Sequence, residues 1–252
     1  MRQLKIYFLI SPCLLMSCGI FSQTIETDRP DQTESSATVP KRSFQLESGF
    51  GLEKTGVGQN DGYYDSFTLP TTLFRLALMK HFELRLVNTL RYQRQLSDST
   101  RQSHVKFDDL ELGCKWQLTN GGKLRPRIAL LSHVVMPSGS HNSKTYGMVN
   151  KVLISHQLTD RLNLGYNIGH IYCGKEKGDM IYTLSLGVSI TDKLGVYAEN
   201  YGSAINFTTL ITNMDGGFTY LIKDNIQFDY SFGVGLNNRM NYQAVGISIR
   251  FS

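Results

Sequence analysis

The chain has 252 residues, with 26 Lys and Arg against 21 Asp and Glu, a formal net charge of +5 and 41% hydrophobic residues. That mild excess gives no reason for a nucleic-acid partner, and beyond the first segment no run of about 18 apolar residues marks a transmembrane helix. Of four cysteines only Cys114 and Cys173 lie past that segment, too few for a disulfide-built exported scaffold.

The first segment, MRQLKIYFLISPCLLMSCGIFSQ, sets Arg2 and Lys5 before an apolar middle and ends in small residues, the order of a secretory signal peptide. Cleavage after Ser22 predicts a leader over residues 1–22; the alternative is lipidation of Cys18 in LMSC. Removing Arg2 and Lys5 takes the charge from +5 to +3. Residues 23–42 then carry Glu26, Asp28, Arg29, Pro30, Asp31 and Glu34 with few apolar neighbours, so they favour neither a strand nor an amphipathic helix.

From Ser43 the dominant period is two. In LNLGYNIGHIY, Leu162, Leu164, Tyr166 and Ile168 alternate with Asn163, Gly165, Asn167 and Gly169, and YTLSLGVSI, IQFDYSFGVGL and VGISIRF repeat the pattern. Strands are expected near 43–53, 63–78, 82–94, 105–117, 124–136, 145–157, 162–172, 180–190, 194–202, 209–222, 225–236 and 242–251. That makes about twelve, most near the 9 to 11 residues of a tilted membrane strand.

Short and long connections alternate. Tight polar turns at Met79, Thr119, Thr159, Thr191 and Lys223 contrast with longer segments at 54–62, 95–104, 137–144, 173–179, 203–208 and 237–241. Turns at one end and loops at the other suit an all-β, antiparallel, up-and-down transmembrane barrel over 43–252, in contact with outer-membrane lipid and lipopolysaccharide. The chain closes at Phe251, near the terminal aromatic read by outer-membrane assembly machinery. A soluble sandwich would carry more Lys and Glu on its polar faces. Leu186 and Phe228 are expected to face lipid, and Ser185 and Gln227 the lumen.

The same alternation turns Arg75, Arg85, Arg91, Lys115, Arg127 and Lys151 inward as a basic wall and Glu199, Asp215 and Asp229 as an acidic one, with Glu83, Asp109 and Glu111 mixed into the basic side. Such walls suit a polar pore, or a closed network of ion pairs in a narrow barrel. Residues 23–42 are placed at the periplasmic mouth, where their acids have the sign to enter a basic lumen as a plug, Arg29 and Pro30 shaping a turn; a disordered tether is the alternative.

TDRPDQTES, LPTTLFRLALMKHFELRL, VVMPSGS, QLTDRLNLGYNIG, GVYAENYG and DGGFTYLIKDNIQFDYSFGVGLN together resemble the "putative meta-pathway of phenol degradation" family. The resemblance implies a Gram-negative outer-membrane transporter for small solutes, among them hydrophobic or aromatic compounds; fold-level kinship does not choose the solute. Two other classes stay open. His141 and Ser143 in SGSHNS have the His-x-Ser spacing of a barrel phospholipase, though in an expected loop; a non-conducting structural or surface-binding barrel is the third reading. His81, His104, His133, His141, His156 and His170 are scattered without ligand spacing, so neither a metal nor a cofactor is expected.

Overall fold

The computed structural model describes residues 24–57, 62–97, 100–122, 125–137, 145–172 and 177–252. The expected leader with Cys18, the His141 and Ser143 pair, and Cys173 lie outside the described residues. Among those described there is no helix, only thirteen strands: β1 Phe44–Val57, β2 Gly62–Met79, β3 Phe82–Ser97, β4 Thr100–Phe107, β5 Leu110–Gln117, β6 Arg127–Met136, β7 Gly147–Gln157, β8 Leu162–Tyr172, β9 Asp179–Ser189, β10 Leu194–Ile205, β11 Thr209–Lys223, β12 Ile226–Gly235 and β13 Met240–Phe251.

Each strand pairs antiparallel with its neighbour, β1 pairs with β13 as well as β2, and the β2–β3 pairing completes the ring. Among the described residues every strand has partners on both sides except β4, which pairs with β3 alone; paired neighbours are what satisfy backbone groups in lipid. The extra strand arises inside the expected 105–117 element. Both β4 and β5 pair with β3, end to end. Val105 and Phe107 face outward at odd positions, Leu112 and Trp116 at even ones. Asp108 and Asp109 absorb the change of parity as an extra residue does in a bulge. The Asp108 N–H donates to the Thr89 carbonyl (2.8 Å) and its carboxylate accepts from Arg91 Nε (2.8 Å). Pro70 marks a second parity change, where the β2–β3 and β1–β2 registers both shift; a residue without an N–H cannot continue the ladder.

Two expected loops are shorter than the sequence suggests. Most of 95–104 forms arms of the β3–β4 hairpin, and 203–208 reduces to a turn after Ile205 with Asn206 and Phe207 at φ 50 and 60.

The outer wall is apolar. Leu84, Leu130, Ile168, Leu184, Leu186 and Ile247 are all exposed there, as a lipid-facing band requires. Ser185 and Gln227 are buried on the opposite face. The lumen is not uniformly polar: Ala129, Leu131, Val149 and Leu153 form a buried cluster inside β6 and β7, where the sequence is apolar at consecutive positions on both faces. Phe44 stacks between Phe74 (6.1 Å) and Phe251 (6.0 Å), an aromatic row across the joint of the first and last strands.

Candidate functional site: the lumen and the segment that enters it

Residues 24–42 run inside the barrel. The Ile25 N–H donates to the Asp224 carbonyl (2.8 Å), and the Arg42 N–H to Ala77 (3.1 Å), so both ends of the segment lie at the tight-turn rim. Between them it rises into the lumen and returns. We call it the strap. Ile25, Ala37 and Val39 are buried, and the Arg29–Pro30 peptide bond is cis. Because the strap has no partner strand, its polar backbone is satisfied by side chains of the wall. The N–H groups of Asp28, Gln32 and Val39 donate to Glu47 (2.9 Å), Glu199 (2.7 Å) and Glu83 (2.7 Å).

Its acids reach the basic wall. Asp28 accepts from Lys115 Nζ through both oxygens (2.9 Å each) and pairs with Arg85. Glu34 bridges Lys151 (2.9 Å) and Arg85 (3.4 Å), and Glu26 takes Arg127 (2.6 Å) at the rim. Arg75, fully buried, donates to Glu47 (2.8 Å), Glu83 (2.9 Å) and the carbonyl of Ala37 (3.0 Å). Arg91 stands apart, paired with Asp108 at the β4–β5 break. Burial would raise the carboxyls of Asp28 and Glu34, but the surrounding cations overcome it. Arg75, Lys115 and Arg85 hold Asp28 well below the usual range, and Lys151 and Arg85 bring Glu34 down to about 2.

The acidic wall is arranged otherwise. Asp229 pairs with Arg29 Nη2 (3.0 Å). Gly49 and Gly246 are register partners on β1 and β13, and a Cβ at either would overlap the Arg29 guanidinium; their bare backbone is the seat of that side chain. Glu199 accepts from the Gln32 N–H and the Thr33 hydroxyl, and Asp215 from the Tyr242 hydroxyl. Asp31 accepts from the Ser185 hydroxyl (3.0 Å). Burial raises its carboxyl to about 7, against the Ser185 hydrogen bond and with Asp215 adding to the rise.

Sequence reasoning missed Glu47 and the Gly49–Gly246 seat. Glu47 was within reach, since Gln45, Glu47 and Gly49 share the inward face of FQLESGF. The seat needs the pairing of the first and last strands, which no local pattern shows.

A cavity of about 740 Å³ opens at the tight-turn end, lined by Asn120, Arg125, Arg127 and Tyr197. Another of about 410 Å³ lies toward the opposite end, lined by Glu53, Tyr201, Asn213 and Tyr242. Arg29 and Pro30 border both.

A profile of the family described as "Putative MetA-pathway of phenol degradation" matches residues 27–251. The chain belongs to this family. Among solved structures it is similar to an outer membrane channel from Pseudomonas putida F1, with TM-score 0.68 and 12% identity over 90% of this chain and 100% of that one. The KdgM porin gives TM-score 0.52 and 12% identity over 82% and 99%. At these identities the likeness is one of fold. No curated protein sequence matches.

Proposed function

We propose that this family member is an outer-membrane channel for small solutes whose lumen is divided by its own N-terminal strap acting as a plug. The observation that carries the reading is the strap tip, Arg29–Pro30, standing between two cavities that approach each other from opposite ends of the barrel. The lipid-facing apolar wall and the closed ring supply the rest. On this reading residues 1–22 are the export leader and the assembly machinery places the barrel in the membrane. The family description names phenol degradation, so small phenols are the first solutes to assay. Buried ion pairs favour a seated strap, because each wall cation left alone in the lumen would carry a desolvation cost.

Planar-bilayer recording of the intact chain and of a deletion of Thr24–Ser36 tests the reading. The deletion removes no strand, so both should insert as heat-modifiable barrels with discrete current steps. The truncated barrel should conduct more and admit more anions, since Arg85, Lys115 and Lys151 lose strap partners. Identical traces and reversal potentials would exclude the plug; absence of steps in both would exclude the channel.

A further inference from the structure

The charge that the lumen leaves uncompensated lies on one side. Arg75, Arg85, Arg91, Lys115, Arg127 and Lys151 each have a carboxylate no more than 3.0 Å away. Across the lumen Glu199 and Asp215 are directly opposed register partners on β10 and β11, 1% and 5% exposed. Asp31 reaches the same place from the strap, bonded to Ser185, the register partner of Glu199 on β9. Outside the cluster the partners of these three acids among the described residues are neutral, a backbone N–H and the hydroxyls of Thr33, Ser185 and Tyr242, and the Asp215 and Glu199 carboxyls also hydrogen-bond to each other.

Like charges directly opposite on adjacent strands destabilise a sheet, and a buried carboxyl pair is relieved by a shared proton or by a cation in its place. The surroundings add acceptors instead. Asn213 Oδ1, on the same face of β11 as Asp215, has no hydrogen-bond partner, and Asn213 is 7% exposed. Asp31 and Tyr197 border the cavity at the tight-turn end, whereas Asn213, Tyr201 and Tyr242 border the other. Glu199 and Asp215 line neither cavity themselves; along β10 and β11 they are flanked by Tyr197, which borders one cavity, and by Tyr201 and Asn213, which border the other, on the side of the lumen away from the basic wall.

We propose that Glu199, Asp215 and Asp31 form a cation subsite on the path between the two cavities, recognising small monovalent cations and, among them, organic ammonium ions. Tyr201 and Tyr242 line the cavity on that side, phenol rings being groups that attract an ammonium ion, and the neutral acceptors complete its solvation. The strap thus does two things: its acids neutralise the basic wall, and Asp31 adds to the acidic one.

The subsite rests on the channel reading, and two measurements separate them. In bilayers under a KCl gradient the full chain should show a reversal potential of the sign for K⁺ passage. The Glu199→Gln, Asp215→Asn double variant should lose about half of that potential or more. Calorimetric titration of the detergent-solubilised full chain with tetramethylammonium chloride should show binding that weakens about tenfold in the same variant. Should the double variant fail to assemble, Asp31→Asn, which alters no strand, should shift both readouts in the same direction when they are recorded above pH 7, where that carboxyl is ionised. Current steps without cation preference, together with no tetramethylammonium binding, would overturn the subsite and leave the channel standing. Binding in a barrel that passes no current would overturn the channel and leave the subsite.

Discussion

Arg29 and Asp229 face each other 3.0 Å apart although 200 residues separate them in the chain. The guanidinium lies in the space that Gly49 and Gly246 leave open. A Gly246→Val substitution keeps the outward parity of β13 and fills that space, so it should unseat Arg29 without disturbing the ring. A spin label at Gln32→Cys, with Cys114 and Cys173 replaced by Ser, should become mobile. Asp229→Asn should produce a smaller mobile fraction, because the seat survives. Unchanged spectra in both variants would show that Arg29 does not hold the strap tip.

Two strap acids should differ sharply in worth. Asp28 is buried among Arg75, Arg85 and Lys115, whereas the Glu26 side chain is 45% exposed beside Arg127. Removing one partner from a buried pair costs up to about 3–5 kcal/mol; a half-exposed pair contributes below about 1 kcal/mol. Asp28→Asn should therefore release much of the strap, and Glu26→Gln almost none, in the same spin-label experiment. Equal mobility in the two variants would contradict the buried network.

Strap seating should depend on pH with a definite sign. Asp31 docks best protonated: with its carboxyl raised from 3.8 to about 7, its contribution is whole below 3.8 and lost as pH rises through about 7. Glu34 acts oppositely: brought from 4.5 to about 2, it contributes fully above 4.5 and loses that as pH falls through about 2. Asp28, also lowered, follows Glu34. Asp31 is faced by Ser185, Asp215, Glu199, Tyr197 and, along the strap, Asp28. Label mobility at Gln32→Cys should thus be least near pH 4.5 and increase as pH rises through 7. A monotonic fall in mobility from pH 5 to 8 would contradict the assignment of Asp31.

Neighbouring residues of β9 test which face meets lipid. Leu186 is exposed on the outer wall, and an added side chain at Gly187 meets nothing within 4 Å inside. An Arg facing the middle of the bilayer costs about 2–4 kcal/mol. Leu186→Arg should block formation of the heat-modifiable barrel, and Gly187→Arg should not. Equal assembly of the two would make the outward assignment untenable.

The barrel was legible because membrane strands repeat one simple rule, lipid on one face and lumen on the other, and Leu186 beside Ser185 obeys it. The rule weakens where its cause does. On β6, Ala129 and Leu131 face inward while Leu130 faces lipid, so a run of apolar residues hides the direction. At Asp108–Asp109 the parity changes within one expected element, β4 and β5 both pairing with β3. The inward position of the wall charges could be read from alternation. Their partners could not, since Lys115 with Asp28 and Glu199 with Gln32 are fixed by how an irregular segment threads a closed ring.

The seat of Arg29 is made from β1, β12 and β13, the opening strand and the last two. The strap is among the earliest parts of the described chain to be synthesised, yet the surface that receives its tip comes into being only when the sheet joins its own beginning to its end. Ring closure and strap docking are consequently ordered in time, the first being a condition of the second. A barrel caught with its first and last strands apart would have a complete set of lumen charges and nowhere to place Arg29, so a seated strap is a signature of finished assembly.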